Sequence, residues 1–369
     1  MRLGIDARLV HYRPGGISEY TRHVIHELAA LDETTGYFVI HHARARETLV
    51  PGRNFRRINA YTPSHHRFER WSLSAELLPY RLDLLHSPDV IPPQRGARRH
   101  VITVHDLHFL HYPQFMTADS RRFYNDQIGR AVQMADHILV DSNATRDDLG
   151  NLLNVPGDKI TVHMLGVNAA FRPLPEDLVT DCRARLGLPT TYILFVGTFE
   201  PRKNIPGLLA AYHLLRQTAP DAPPLVLVGR RGWLYDDIYT QAEALKLVDH
   251  LIWLENAAWD DLPAIYSGAR LLALPSHYEG FGLTPLEAMA CGTPSVTSNR
   301  GSLPEVVGET GLLVDPDNPA QIADAIQRLL QDDDLHTRLR EAGLKRAGTF
   351  TWRRTAEIVL DTYRALLAP

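Results

Sequence analysis

His277-Tyr278-Glu279-Gly280-Phe281-Gly282-Leu283-Thr284-Pro285-Leu286-Glu287-Ala288-Met289-Ala290-Cys291-Gly292 governs how the rest of this 369-residue chain is read. It follows Leu271-Leu272-Ala273-Leu274, an apolar run that ends at Pro275 and has the length of a buried strand. Two glycines flank Phe281 in a loop, Pro285 suits the first position of a helix, and Gly292 suits its end. Glu279 then falls on a strand-end loop and Glu287 on the first helical turn, which is where ligands bind in an open parallel sheet. The amides of Gly280 and Gly282 have no Cβ between them and a bound group. Thr284 and Glu287 also fit a capping box, in which Glu287 satisfies a helix-start amide and no ligand is involved.

Outward from this block, short apolar strands alternate with helical segments. Before it come strands at Leu3–Ile5, Tyr37–His41, Leu84–His86, Val101–Val104, His137–Val140 and Lys159–His163, with a helix over Ile17–Leu31. Gly166-Val167-Asn168-Ala169-Ala170-Phe171-Arg172-Pro173-Leu174-Pro175 reads as a linker, and the alternation restarts at Tyr192–Val196. Strands follow at Leu225–Val228, Leu251–Leu254, Pro294–Thr297 and Leu312–Val314. Helices are expected at Ile205–Thr218, Ile238–Leu247, Asp261–Ser267, Pro319–Leu330, Leu335–Ala347 and, amphipathic, Trp352–Leu367. Alternation of this kind implies α/β architecture with parallel sheets covered on both faces, and the length suits two domains.

The composition, 44% hydrophobic and 22% charged, is that of a soluble globular protein. A formal net charge of −4 argues against nucleic acid as a partner. Residues 1–170 carry 20 Lys+Arg against 18 Asp+Glu and 14 of the 18 histidines, whereas the remainder carries 19 against 25. A basic, His-rich half suits either a solvated surface or an anionic acceptor or lipid headgroup. Cys182 and Cys291 have no ligand-like spacing, which implies neither a disulfide framework nor a zinc site. The first residues read as a strand rather than a signal peptide, and no run of 18 apolar residues occurs. A cytoplasmic protein, with at most peripheral contact at the inner membrane face, is expected.

Three further segments carry candidate chemistry. Arg13-Pro14-Gly15-Gly16-Ile17-Ser18 joins the first strand to the first helix; its amides and the positive helix end suit a phosphate, although a simple turn has the same sequence. Val196-Gly197-Thr198-Phe199-Glu200-Pro201-Arg202-Lys203-Asn204 places two cations where a helix should begin. That opposes the helix dipole and invites a functional reason. Lys203 is one of four lysines. Thr103-Val104-His105-Asp106-Leu107 puts a histidine at a strand end, where surface, packing and ligand roles all remain open. Ser142 and Asn143, after the strand ending Val140-Asp141, suit a similar place, although Asp141 and Ser142 also suit the cap of a helix starting at Ala144.

Taken together, the 277–292 block resembles the signature of retaining glycosyltransferases of family 4. The resemblance implies the GT-B fold: two Rossmann-like, doubly wound parallel-sheet domains facing a central cleft, with a C-terminal helix that crosses back. On that basis residues 1–170 form the acceptor-side domain, 171–351 the nucleotide-sugar domain and 352–369 the crossing helix. The family's donor-sugar glutamate maps onto Glu279 and its ribose-holding glutamate onto Glu287. Its phosphate-holding pair maps onto Arg202 and Lys203, with Thr198 standing where some members carry arginine. Its Gly-Gly loop maps onto Gly15 and Gly16, and its sugar-contacting histidine onto His105. Gly280, Phe281, Gly282 and Leu283 complete the donor contacts. The base is expected to meet strand ends at Gly229-Arg230-Arg231 and Leu254-Glu255-Asn256. Asn299–Glu305 resembles the family loop after the signature helix.

The activity implied is metal-independent transfer of a hexosyl group, with retained configuration, from a nucleotide sugar to a glycan or lipid-linked hydroxyl. No Asp-x-Asp is read at a donor-site strand end, and no cofactor or metal is expected. The opening Gly-Ile-Asp-Ala-Arg and Gly-Gly-Ile-Ser-Glu-Tyr-Thr look like bacterial mannosyltransferases of polysaccharide assembly, which favours GDP-mannose. The acceptor is expected against Tyr61–Trp71, where His65, His66, Arg67 and Arg70 would meet a lipid diphosphate. A glycosidase would also use two carboxylates, but needs no phosphate-binding groups. A GT-B epimerase and a catalytically silent nucleotide-sugar-binding subunit are the competing readings.

Overall fold

Two separate sheets, each parallel throughout, carry the chain. The computed structural model describes residues 1–368 apart from 13, 14, 67, 236 and 256, and apart from the side chains at 119, 120, 122 and 123. Expectations placed on Arg13, Pro14, Arg67 and Asn256 therefore lie outside the described residues. By contact the chain divides into two units, Met1–Gly166 with Thr351–Pro369, and Val167–Phe350.

Unit 1 contains β1 (Arg2–Asp6), β2 (Gly36–His42), β3 (Phe55–Ala60), β4 (Leu82–Ser87), β5 (Ala97–Val104), β6 (His137–Val140) and β7 (Ile160–Val162), in the spatial order β3-β2-β1-β4-β5-β6-β7. Unit 2 contains β8 (Ile193–Val196), β9 (Leu225–Val228), β10 (Leu251–Leu254), β11 (Leu271–Leu274), β12 (Ser295–Ser298) and β13 (Leu312–Val314), in the order β10-β9-β8-β11-β12-β13. Each sheet grows outward one way from its first strand and then the other, so each has a switch point: between β1 and β4, and between β8 and β11. This is the doubly wound order whose strand ends bind ligands at the switch.

Central strands such as Leu-Val-Leu-Val in β9 and Leu-Leu-Ala-Leu in β11 are buried at every position, as sheets covered on both faces require. β3 differs. Its Phe-Arg-Arg-Ile-Asn-Ala sequence buries Phe55, Ile58 and Ala60 and exposes Arg56, so the apolar pattern does not reveal it; charge is common on edge strands.

The terminal helix Trp352–Leu367 packs in unit 1 against the helix Gly16–Leu31 and β4. It buries Trp352, Val359, Leu360 and Tyr363. The Tyr363 hydroxyl lies 2.6 Å from Nδ1 of His86, whose Nε2 lies 2.8 Å from the Thr103 hydroxyl. Burial, reinforced by the neighbouring His163 and His105, drives the His86 pKa down to about 3, so this buried chain of hydrogen bonds is neutral.

Candidate active site

In unit 2, β8 and β11 are hydrogen-bonded neighbours, with Leu271 opposite Ile193. The segments leaving their carboxyl ends, 197–204 and 275–282, must therefore meet at the switch point. His277 N donates to Arg202 O at 2.8 Å and fixes one segment on the other. Glu279, 7% exposed, sits between the two cations. Its Oε1 accepts from Lys203 Nζ and from Ser276 Oγ, both at 2.7 Å, and its Oε2 accepts from an Arg202 terminal nitrogen at 2.7 Å. Arg202 also donates to Glu200 Oε1 at 2.6 Å and to Tyr278 O at 3.0 Å. Burial alone would raise the Glu279 pKa. Arg202, Lys203 and the Ser276 hydroxyl outweigh it and hold the carboxyl at about 2, so it is ionised at neutral pH.

Two local expectations change. Arg202 and Lys203 do not begin the following helix; they occupy a 3-10 turn, Pro201–Lys203, and Asn204 caps the helix Ile205–Thr218. Asn204 adopts φ 54°, accepts from Gly207 N at 3.2 Å, and its amide donates to Pro275 O at 3.0 Å and Pro316 O at 2.8 Å. One side chain thus caps a helix and ties three loops. The two cations face carboxylates rather than the helix dipole alone.

The signature helix runs Leu283–Ala290 with Gly282 as its N-cap, so Pro285 is its third residue and no capping box forms. Glu287 lies a turn further in, where Oε2 accepts from the buried Tyr266 hydroxyl at 2.9 Å. With no capping side chain on Gly282, the positive end of the helix opens at Leu283 and Thr284. The loop is locked from the other side. The Ser302 hydroxyl shares its one proton between the carbonyls of Glu279 (2.9 Å) and Phe281. Gly301, at φ +58°, lies where a Cβ would stand 2.8 Å from Glu279 O. Phe281 is buried, edge-on to Phe350, and Gly280 and Gly282 are buried with it.

In unit 1, His105 follows β5 and Asp141 follows β6, and Val104 is paired with Val140. The register therefore sets the two side by side, with Nδ1 of His105 donating to Asp141 Oδ2 at 2.6 Å. Nε2 donates to Pro88 O at 2.9 Å. Both partners only accept, so the ring carries two protons. Burial opposes that charge, but Asp141, the Pro88 carbonyl and Asp89 raise the pKa to about 9. Asp141 is thus a partner of His105, while Ser142 alone caps the helix Asn143–Leu153, accepting from Thr145 N at 3.1 Å. Gly15 and Gly16 are exposed at the open start of the helix Gly16–Leu31.

The other expected segments have surroundings of their own. Arg231 and Tyr239 both bond Glu255 (2.6 Å each), so the proposed base-binding strand ends carry their own ion pair. Arg70 is buried, donating to Met134 Sδ, and is not displayed beside exposed Tyr61, Phe68 and Trp71. An Asp-x-Asp does follow β13: Asp315-Pro316-Asp317. Arg300 binds both carboxylates, at 2.8 and 2.6 Å. Ser276, Asn204, Ser302 and Glu200 are site residues that the sequence does not single out. The pairing of β11 with β8 on one side and β12 on the other brings them together.

Rossmann strand order twice over in one chain, with paired cations on a buried carboxylate at a switch point, is the construction of GT-B glycosyltransferases. The family can be stated more narrowly. Residues 14–171 match the family described as Glycosyltransferase Family 4, and residues 183–346 the one described as Glycosyl transferases group 1. The chain is 35% identical over 310 residues to O-antigen chain mannosyltransferase B of Escherichia coli, covering 84% of this chain and 80% of that one. It is 33% identical over 260 residues to a D-inositol 3-phosphate glycosyltransferase of Corynebacterium glutamicum (strain R), covering 68% and 62%. Sucrose-phosphate synthase of Thermosynechococcus elongatus superposes with a TM-score of 0.79 at 25% identity, over 100% and 99% of the two chains. The chain belongs to glycosyltransferase family 4 and is a glycosyltransferase.

Proposed function

We propose that the enzyme transfers a mannosyl group from GDP-mannose to a hydroxyl of a glycan or lipid-linked saccharide, with retention and without a metal. The observation that carries this reading is the convergence of Arg202, Lys203 and Glu279 beside the open end of the signature helix. Similarity to the Escherichia coli mannosyltransferase supports mannose as the sugar.

Chemically, the acceptor oxygen bonds to the anomeric carbon as the bond from that carbon to the diphosphate oxygen breaks. The electron pair leaves with the diphosphate, which takes up the acceptor proton on the same face. A glycoside and a nucleoside diphosphate result. Lys203, Arg202 and the amides at Leu283 stabilise the charge that develops on the leaving group. Lys203 spends one of its three N–H donors on Glu279. Glu279 is ionised, so it does not act as a general acid. Held by three donors, it is a poor nucleophile, which disfavours an enzyme-bound sugar. Its role is to orient sugar hydroxyls, and Glu287 is assigned the ribose. From unit 1 we assign to the same reading the amides at Gly15 and Gly16, toward phosphate, and His105, toward the sugar. Peripheral contact with the inner membrane face and a cytoplasmic location belong to it as well.

The test is a donor panel of GDP-mannose, UDP-glucose, UDP-N-acetylglucosamine and UDP-galactose, each with and without EDTA. Product anomers are read by NMR. EDTA-insensitive turnover of GDP-mannose to an α-linked product is expected. An inverted product, or activity abolished by EDTA, contradicts the retaining or the metal-free part respectively.

A further inference from the structure

In unit 1 the carboxyl ends of β1 and β2 flank an open cavity of about 230 Å³, where a single water needs only about 10–15 Å³. Strand β2 has β1 on one side and the edge strand β3 on the other. Ala7 and Val10, which follow β1, line the cavity, and the segment 44–49 that leaves β2 forms the facing wall.

That wall is held in place by the sheet. His41 Nδ1 donates to Val39 O at 3.0 Å and its Nε2 accepts from Leu49 N at 2.9 Å, so the ring is neutral and both nitrogens are used. Arg57, on β3, donates to Ala45 O at 2.9 Å and to the Thr48 hydroxyl at 2.6 Å. The N–H of a trans peptide points opposite to its carbonyl. The Arg46 amide shares a peptide with Ala45 O, so it is turned away from Arg57, and β3 lies on the far side of β2 from Ala7 and Val10. That amide has no hydrogen-bond partner among the described residues.

The charges of the lining are unequal. Glu47 is its one carboxylate, and Arg22 holds both oxygens, each at 2.9 Å. Arg44 and Arg46 are exposed on the cavity wall, and neither guanidinium has a hydrogen bond or ion pair among the described residues. A single unpaired arginine on a surface is ordinary. Two on one cavity wall, with an open backbone amide and a carboxylate already neutralised, form the donor set that phosphate oxygens match.

We propose that this cavity binds a phosphate ester on the acceptor side of the reaction, which deepens the proposed transfer to a lipid-linked saccharide and rests on it. The two guanidinia fork onto phosphate oxygens, the Arg46 amide donates to another, and Val10 and Leu49 meet the carbon skeleton of the ester. Arg70, the cation expected to meet a lipid diphosphate, is buried on Met134 and cannot take that part.

The experiment is calorimetry on the full-length chain, with GDP present to fill the donor site, comparing geranyl diphosphate, mannose 1-phosphate and mannose. Both esters bind and mannose does not; the tighter ester names the source, a lipid diphosphate or a phosphosugar. Arg44→Ala and Arg46→Ala each weaken the esters about tenfold, the loss of one charge-assisted bond. Both side chains are exposed, so the melting temperature stays as it is. Arg56→Ala, which removes an exposed arginine of β3 outside the cavity, leaves binding unchanged. Binding of neither ester, equal binding of mannose, unchanged affinity in either cavity variant, or an equal loss in Arg56→Ala overturns the assignment. GDP titrated alone into the wild type reports separately on the donor reading. GDP bound with no ester bound sinks this inference alone; esters bound, and weakened in the cavity variants, without GDP binding sink the donor reading alone.

Discussion

His105 is a histidine that the fold keeps charged. Its raised pKa means that its favourable contribution is complete below the ordinary histidine value of about 6.5 and is lost as pH rises through about 9. Unit 1 should therefore lose stability across that window, by about 3 kcal/mol at most. Asp141→Asn should abolish the slope, as read from denaturation at successive pH values; an unchanged slope would show that Asp141 does not set the charge. Glu279 has the opposite sign. Its depressed pKa stabilises the fold above about 4.5, and this is lost as pH falls through about 2. At this scale the sequence shows the residue types but not the partners. His105 and Asp141 are 36 positions apart, and only the β5/β6 register joins them. Arg202 and Lys203 are legible as cations out of place, but the carboxylate that explains them is 76 residues beyond Lys203.

Among elements, the signature loop depends on a neighbour as much as on its own residues. Gly301 and Ser302 belong to the loop after β12, yet they set the position of the Glu279 backbone. Gly301→Ala must hold a left-handed φ and push a methyl group into Glu279 O, at a cost of about 1–3 kcal/mol. Weaker donor binding should accompany the lost stability. Undiminished donor affinity would show that the loop positions itself without this support. Strands β9, β10, β11 and β13 are legible to the residue because their apolar runs are short, unbroken and bounded by turn residues. β3 is not, since an edge strand needs only one apolar face. The capping-box reading of Thr284 and Glu287 fails for a local reason: the left-handed Gly282 starts the helix earlier than Pro285 suggests.

Across the whole molecule, the chain passes from unit 1 to unit 2 at Gly166–Val167 and returns at Phe350–Thr351. The second passage delivers the terminal helix, whose Tyr363 completes the hydrogen-bond chain through His86 to Thr103 beneath the β5 end that carries His105. Truncation after Phe350 should leave unit 1 with an open apolar face and a broken buried network, unfolding it while unit 2 persists as a separate thermal transition. A single transition at the native temperature would contradict this division of labour. Tyr363→Phe, the milder change, should cost about 1–2 kcal/mol in unit 1. The two-domain α/β plan is legible in the alternation of strands and helices. That the last helix belongs with the first unit enters only through the family resemblance, because an amphipathic helix does not declare which sheet it covers.

In the proposed site, Arg202 and Lys203 hold the donor diphosphate while Glu279 reads the sugar. Calorimetric titration of GDP and of GDP-mannose into the wild type, Lys203→Ala and Glu279→Gln, each confirmed folded by its melting curve, separates these roles. Lys203→Ala should weaken both ligands alike, by about ten- to a hundredfold, as expected for losing a charge-assisted bond to phosphate. Glu279→Gln should weaken GDP-mannose more than GDP. Unchanged affinity for both ligands in Lys203→Ala would show that Lys203 does not hold the diphosphate.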